Sequence, residues 1–285
     1  MARSRFQITQ RDIETFFNKN EKSVYSFTEM GKILSEKGSL WRLPRSMTTR
    51  TFLKTLLERT KLKKVDFNFP SLSFHRYTWE DANIYEIASS LIKNSYFSHY
   101  SALYLHELTE QIPKVIFLNY EQPAKPKVNS ELSQQGINIA FSRPPRITKN
   151  FCIVNNYTMH LLNGKKTGNL GVVTRNRFSI TDLERTIIDI TIRPHYSGGV
   201  FEVLNAYKKA RDNLSVSRLS ALLSKLDYIY PYYQAIGFYL ERAGYSSSQI
   251  QSLEGNNIKF DFYLANQIKD PEYSNKWRIF YPKGL

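Results

Sequence analysis

The sequence contains a single cysteine, Cys152, among 285 residues. One thiol cannot form a disulfide or a thiolate-rich zinc site within the chain, so a small disulfide-stapled domain is excluded. No stretch approaches the roughly 18 uninterrupted apolar residues of a membrane span. No apolar run follows the charges of residues 1–7, so we expect no signal peptide and no membrane association. These absences predict a cytoplasmic protein.

Acidic side chains are also scarce relative to basic ones. The chain has 40 Lys and Arg against 25 Asp and Glu, which gives a formal net charge of +15. Residues 1–80 and residues 124–180 each carry a net charge of +8, and the remainder is nearly neutral. An excess of this size predicts a polyanionic partner, with nucleic acid as the first expectation.

Three helical patterns occupy the first sixty residues. The first covers residues 9–18 and the second starts at Ser26, where residues 26–29 have the spacing of a capping box. Gly38 supplies a stop for the second helix. The third pattern covers residues 46–59. Short helices in close succession favour a compact helical domain at this end of the chain.

The third helix divides into an inward and an outward face at about 100° per residue. The inward face carries Thr49, Leu53, Leu56, Leu57 and Thr60. The outward face carries Thr48, Thr51, Lys54 and Thr55, with Arg50 on the flank. Threonines permit close approach to a major groove, while arginine and lysine engage bases or phosphates. We therefore predict groove contacts by Thr48, Thr49, Arg50 and Lys54, although Thr49 stands on the inward face. For Arg50 and Lys54 a solvated helix face is the alternative.

A β-hairpin is predicted directly after the third helix. Val65, Phe67 and Phe69 alternate, a Pro70-Ser71 turn follows, and residues 72–79 are prone to form a strand. Three helices followed by a basic hairpin indicate a winged helix-turn-helix in residues 1–80. The phosphate contacts are expected from Arg45, Lys63, Lys64 and Arg76.

Residues 81–285 are predicted to form a larger, mixed α/β domain, so that the fold class is α+β. Strand patterns at 114–120, 137–141, 151–155, 158–162, 170–174 and 177–180 precede a run of helices that starts near residue 181. The basic side chains of this domain that could make a second anionic contact are Arg143, Arg146, Lys149, Lys165 and Lys166. A solvated sheet surface is the alternative interpretation of the same charges.

No pattern of catalytic residues stands out. The glycine-rich phosphate loops of nucleotide-binding proteins are absent, and no lysine stands two residues after any Asp or Glu, as it would in many metal nucleases. His99 and His106 lie seven residues apart without a carboxylate at ligand spacing between them, which favours ordinary packing over a zinc site. We therefore expect no enzymatic activity, no metal and no cofactor.

Three segments resemble landmarks of the AbiEi-type antitoxins. Residues 98–113 (SHYSALYLHELTEQIP) resemble a segment in which a short helix precedes a leucine-threonine-glutamine turn. Residues 181–189 (TDLERTIID), followed by residues 194–199 (PHYSGG) and a helix, are similar to a second landmark, and residues 232–240 (YYQAIGFYL) to a third. The resemblance covers both predicted domains, because these antitoxins also begin with a winged helix.

The resemblance implies an antitoxin of a type IV toxin–antitoxin system of abortive infection, an antiviral defence. Such a protein would repress its own transcription by binding inverted repeats in double-stranded promoter DNA, which would suit a dimer on DNA. It would also counteract a nucleotidyltransferase-like toxin, directly or indirectly. The residues themselves leave two alternatives open: a nucleic-acid-processing enzyme that uses the 124–180 block, and a protein-interaction module that sequesters a toxin.

Overall fold

The computed structural model describes residues 5–124, 126, 131–254 and 258–285. The chain forms two compact units. The N-terminal unit comprises Met1–Lys93 together with Asn150–Met159, and the C-terminal unit comprises Asn94–Lys149 and His160–Leu285. Both units mix helices and strands, so the expected α+β class is confirmed.

Within its described residues, the N-terminal unit combines four helices with a small antiparallel sheet. In chain order its elements are α1 (Arg5–Lys19), β1 (Val24–Tyr25), α2 (Phe27–Lys37), α3 (Thr49–Arg59), β2 (Leu62–Asn68), β3 (Ser73–Trp79), α4 (Ile84–Ser89) and β6 (Phe151–Val154). The sheet has the strand order β1-β3-β2. Strands β2 and β3 pair from Leu62↔Trp79 to Asn68↔Ser73, as alternating apolar residues on both sides of a short turn would favour.

Local hydrogen bonds determine where α2 and α3 begin. Ser26 and Glu29 form the capping box at the start of α2, as the sequence predicted. Helix α3 begins three residues later than the predicted start, because Thr48 is its N-cap and accepts a hydrogen bond from the backbone N–H of Thr51 at 3.2 Å.

Aromatic side chains fill the core of the N-terminal unit. Phe17 stacks on Trp79 with ring centroids 4.7 Å apart, and Trp41 stacks on Phe52 at 6.1 Å. Phe52 has no exposed surface, although the predicted inward face of α3 omitted it. The core is therefore centred on the Phe52–Leu53–Leu56 edge of α3.

The N-terminal unit continues beyond residue 80, where the sequence placed the boundary. Ser23 donates a hydrogen bond from its hydroxyl to Glu86 at 2.8 Å, which ties α4 to the segment before β1. The unit also includes residues 150–159 from much later in the chain. Contacts between segments so far apart in sequence leave no local sequence pattern, because the residues near 80 and near 150 do not indicate which segment they will pack against.

The C-terminal unit has a mixed sheet followed by a helical cluster. Its elements are β4 (Tyr96–Phe97), α5 (His99–Leu105), β5 (Val115–Glu121), α6 (Gln134–Ser142), β7 (Tyr157–Gly164, which begins in the N-terminal unit), β8 (Val172–Arg175), β9 (Phe178–Thr181), α7 (Leu183–Ile192), a 3-10 turn (Pro194–Tyr196), α8 (Val200–Ala210), α9 (Val216–Leu226), α10 (Tyr232–Arg242), α11 (Ser247–Glu254), β10 (Phe262–Tyr263), β11 (Pro271–Ser274) and β12 (Ile279–Pro282). The central strands run in the order β7-β5-β4-β9-β8, and a second sheet has the order β10-β12-β11.

One predicted strand of this unit is wrong. The apolar run at 137–141 belongs to α6, whose N-cap Ser133 accepts a hydrogen bond from the backbone N–H of Gly136 at 3.1 Å. Only Ile137 is buried in this helix, while Ile139 remains 45% exposed. The periodicity of a short apolar run does not distinguish a strand from a helix. Here the N-cap at Ser133 favours the helix.

The helical cluster contains the larger core of the unit. The rings of Tyr207 on α8 and Tyr239 on α10 stack with centroids 5.0 Å apart, and neither has exposed surface. Gly237 faces Trp277 so closely that a Cβ atom there would lie 2.2 Å from the indole ring. None of the helices described here is long and apolar enough to cross a bilayer.

Candidate nucleic-acid interface

Helix α3 presents one buried and one exposed face. Phe52, Leu53 and Leu56 hold it against the core, while Arg50 and Lys54 are exposed one turn apart on the other side. Its 11 residues span about 16 Å at 1.5 Å per residue, and a B-DNA major groove is about 12 Å wide. The exposed face is therefore long enough to lie across such a groove.

The threonines of α3 are engaged in hydrogen bonds or packing. Besides capping the helix, Thr48 has its hydroxyl 3.0 Å from the Thr51 hydroxyl, and Thr55 donates to the Thr51 carbonyl at 2.9 Å. Thr49 packs over Gly31 of α2: a Cβ atom added at Gly31 would lie 3.1 Å from Oγ1 of Thr49. Thr49 is thus on the helix–helix contact, and the hydroxyls of Thr48 and Thr55 serve the helix itself.

The cations beside these threonines are open to solvent. Within the part of the chain that the structure describes, no carboxylate forms an ion pair with Arg45 or Arg50. Lys54 Nζ lies 3.9 Å from Glu58, and both side chains are more than half exposed; such a pair contributes little to stability. The candidate groove contacts therefore reduce to Arg50 and Lys54, with Arg45 in the loop before the helix.

Arg42 is a residue that the sequence interpretation missed. It is exposed and lines a surface depression together with Arg45 and Ile8. Its backbone adopts φ 52°, in the left-handed region that non-glycine residues rarely occupy. The Arg42-x-x-Arg45 spacing before the helix was the available signal.

The lysines of the hairpin are paired with neighbouring acids. Lys63 Nζ lies 2.6 Å from Asp81, and Lys64 Nζ lies 2.9 Å from Asp66, which also contacts His75. The hydrogen bond from Lys64 lowers the pKa of Asp66. Because all of these pairs are exposed, they contribute little to stability, and a phosphate can replace the carboxylate at low cost.

Arg76 has a different role from the lysines. Its guanidinium donates to the Ser90 hydroxyl at 2.9 Å, to the Leu91 carbonyl at 3.0 Å and to the His75 carbonyl at 2.8 Å. Burial lowers its pKa. Gripping a phosphate, as the sequence suggested, would require breaking these bonds, so the structure assigns Arg76 to anchoring β3.

The described cations of the second basic block have different surroundings. Arg143, Arg146 and Lys165 line a cavity of the C-terminal unit, and Lys149 is exposed. Lys166 lies 4.0 Å from the buried carboxylate of Glu121. The sequence missed the other residues that line the cavity, among them Arg193 and Tyr230, because they are remote along the chain. Lys125 and Lys127 of the block lie outside the described residues.

The histidines do not assemble a metal site. His99 is the first residue of α5 and His106 is its C-cap, and His106 Nε2 pairs with the Thr181 carbonyl at 2.7 Å. No cluster of three or more His, Cys, Asp or Glu suited to a metal occurs in residues 5–124, 126, 131–254 and 258–285. Burial raises the pKa of Cys152 to about 11, so its thiol is not an activated nucleophile.

Comparisons with known proteins identify the fold alone. No family model matches the chain, and no curated protein matches it. Among solved structures, the chain is similar to the crystal structure of the RV2827C protein from Mycobacterium tuberculosis, with a TM-score of 0.64 at 10% sequence identity. The similarity covers 96% of this chain and 91% of that chain, so the chain shares its overall fold with that mycobacterial protein.

Proposed function

We propose that the protein is a sequence-specific DNA-binding antitoxin that represses its own promoter. The observation that carries the proposal is the exposed Arg50–Lys54 face of α3, which is held from behind by buried Phe52, Leu53 and Leu56. A rigid helix that presents solvent-exposed cations is the element that reads a major groove in helix-turn-helix proteins. Direct base contacts of this kind typically contribute about 1–3 kcal/mol each.

The order of elements supports a winged helix-turn-helix. Helices α1, α2 and α3 precede the hairpin β2–β3, and β1 adds a third strand beside β3. In that interpretation α3 reads the groove, and the hairpin is the wing whose Lys63 and Lys64 exchange their carboxylate partners for phosphates. Arg76 fixes the wing to residues 90 and 91, so that the lysines are positioned before DNA binds.

The antitoxin part of the proposal depends on the three segments that resemble AbiEi-type antitoxins. In the second segment, Asp182 caps α7 and a buried ion pair joins Arg185 to Asp189 at 2.8 Å. In the third, Gly237 allows close packing against Trp277. These residues support the core of the C-terminal unit, so the resemblance concerns the architecture of that unit. By the same resemblance, the toxin that the protein counteracts would be of the nucleotidyltransferase type.

Two experiments test the two halves of this proposal separately. Mobility-shift titrations of the full chain should give a complex with its promoter duplex at concentrations where a scrambled duplex stays free. Co-expression with a nucleotidyltransferase-like toxin, should one be encoded beside the protein as the resemblance implies, should restore growth that this toxin alone arrests. Equal binding of both duplexes contradicts the repressor assignment, and growth arrest that persists at full expression contradicts the antitoxin assignment.

A further inference from the structure

A cavity of about 740 Å³ lies within the C-terminal unit. Its walls are the end of α6, the residues that follow it, and the segment between α9 and α10. Among the described residues that line it, the cationic side chains are Arg143, Arg146, Lys165 and Arg193, and the acidic one is Asp227. The cavity therefore favours an anion.

Backbone contacts fix the spacing of Arg143 and Arg146. Asn266 Nδ2 donates to the Arg143 carbonyl at 3.0 Å, and the Tyr196 hydroxyl donates to the Arg146 carbonyl at 3.4 Å. The two residues between them are prolines, whose rings restrict the backbone. Both arginine side chains are exposed, and no described carboxylate pairs with either of them. The backbone that carries these two arginines is thus fixed, and both guanidinium groups are open to an external anion.

Other polar groups shape the same cavity. Lys165 Nζ donates to the carbonyl oxygens of Leu226 and Asp227, both at 3.0 Å, which fixes the start of the α9–α10 segment. His195 Nε2 is buried and has no hydrogen-bond partner among the described residues. A polar group of a ligand would satisfy this nitrogen, since unpaired buried polar atoms are rare in folded proteins.

Several other residues that line the cavity are apolar or aromatic. The rings of Phe141 and Tyr230 meet edge to face with centroids 5.7 Å apart. Beside them, Ile139 is 45% exposed and Ile229 is 63% exposed. Large apolar side chains left open beside aromatic rings form a surface on which a planar, apolar face packs well.

We propose that this cavity binds one nucleotide, free or at the end of an RNA strand. Its phosphate lies at Arg143 and Arg146, and its base packs against Ile139, Ile229 and the Phe141–Tyr230 pair. The volume suits such a ligand, because small-molecule sites typically measure about 300–1,000 Å³. The planar arginine fork matches phosphate oxygens bidentately.

A ligand with only half of this chemistry fits less well. Inorganic phosphate would engage the arginines but leave the two isoleucines exposed to water. An uncharged aromatic molecule would cover the isoleucines but leave the guanidinium groups without an anion. A nucleotide uses both sides at once, and this inference is independent of DNA binding by α3.

Calorimetric titration of the full chain tests the inference with four probes: ATP, adenosine, inorganic tripolyphosphate, and a short RNA carrying a 5′-phosphate. ATP or the phosphorylated RNA should bind at least about tenfold more tightly than adenosine or tripolyphosphate, which corresponds to about 1.4 kcal/mol. Tighter binding of ATP identifies a free nucleotide as the source, and tighter binding of the RNA identifies a strand end. Tripolyphosphate that binds as tightly as ATP overturns the role of the base.

Paired substitutions separate the two sides of the site. Arg143→Ala with Arg146→Ala should weaken ATP and tripolyphosphate binding alike, whereas Ile229→Ser should weaken ATP binding and leave tripolyphosphate unchanged. Lys208→Ala, an exposed cation on α8 outside the cavity, is the matched control and should change neither. All of these side chains are exposed, and unchanged melting temperatures would verify folding.

Three further results overturn the proposal. The first is that none of ATP, CTP, GTP, UTP and the phosphorylated RNA binds to the native chain at millimolar concentration. The second is that ATP still binds after the double arginine substitution. The third is that the double arginine variant no longer neutralises the toxin although the native chain binds no nucleotide. The last result would identify the cavity as a protein-docking surface. None of them depends on whether α3 binds DNA.

Discussion

Arg76 on β3 reaches Ser90, just beyond α4, and donates hydrogen bonds from Nε to both its hydroxyl and its carbonyl oxygen, at 2.9 and 3.2 Å. This contact ties the predicted wing to a segment that the sequence assigned to the second domain. It also distinguishes Arg76 from Lys63 and Lys64, whose ion pairs with acidic side chains are exposed to solvent. Arginine and lysines of one hairpin therefore have separate roles.

The first prediction concerns this anchor. Arg76→Ala should lower the free energy of unfolding by about 1–3 kcal/mol, because it leaves half-buried acceptors unpaired. Arg76→Lys should recover little of the loss, since an ammonium group does not reproduce the guanidinium fork. Urea denaturation followed by tryptophan fluorescence gives the unfolding midpoints.

Lys64→Ala is the matched comparison on the opposite strand. It should leave the unfolding midpoint nearly unchanged and reduce the salt dependence of DNA binding by about one unit of log–log slope. Stability loss in Lys64→Ala together with none in Arg76→Ala would contradict this division of roles.

The second prediction separates capping from base reading at Thr48. Thr48→Ala should destabilise the N-terminal unit by about 0.5–2 kcal/mol, because the Thr51 N–H loses its acceptor. Thr48→Ser keeps the hydroxyl and should retain both stability and DNA affinity. Thermal unfolding and promoter titrations of the two variants check this. Promoter binding lost in Thr48→Ser with normal stability would show that the threonine methyl contacts DNA.

The third prediction concerns Gly237, within the segment that resembles the third antitoxin landmark. Gly237→Ala should cost about 1–3 kcal/mol or more, because the added methyl would overlap the Trp277 ring. Gly136→Ala is the control: its Cβ would meet only the Ser133 hydroxyl at 3.2 Å, and alanine favours a helix. Equal unfolding midpoints for the two variants would contradict the packing described at Trp277.

The fourth prediction concerns acid sensitivity at His195. Burial, and then the charge of Arg193, lower the pKa of His195 to about 4, while the unfolded chain has the ordinary value of about 6.5. The unfolded state therefore binds more protons in that interval, and stability falls as pH drops from about 6.5 towards 4. Above pH 6.5 the residue contributes no pH dependence.

Replacing this histidine tests the sign directly. His195→Asn removes the titrating group, so its unfolding midpoint should fall less than that of the native chain between pH 7 and pH 4.5. Urea denaturation at both pH values measures the difference. Parallel losses in the two proteins would show that His195 titrates normally in the folded state.

The sequence predicted the elements that local signals encode. The capping box at Ser26, the hairpin around residues 70–71 and the exposed pair Arg50 and Lys54 all depend on neighbours within a few residues, and all occur in the structure. The strand predicted at residues 137–141 was wrong, because a five-residue apolar run fits the period of a strand or of a helix. Phe52 was omitted because the apolar edge of α3 lies slightly to one side of the assumed face.

The features that the sequence did not predict depend on contacts between residues that are distant along the chain. The anchoring of Arg76 by residues 90 and 91 and the inclusion of residues 150–159 in the N-terminal unit have no local signature. The cavity brings Arg143 and Arg146 together with Arg193 and Tyr230, which are about fifty to ninety residues away. The charge distribution along the sequence identified Arg143 and Arg146 of the cavity. Only the tertiary structure shows which aromatic residues line it with them.

The central claim is that α3 reads DNA through Arg50, and the ratio of promoter affinity to scrambled-duplex affinity tests it most directly. The ratio should be well above one for the native chain and should fall by a factor of about 5–150 in Arg50→Ala, which corresponds to about 1–3 kcal/mol. Arg11→Ala, an exposed arginine on α1, should leave the ratio unchanged. A ratio of one in the native chain, or the same ratio in the native chain and Arg50→Ala, would contradict the account.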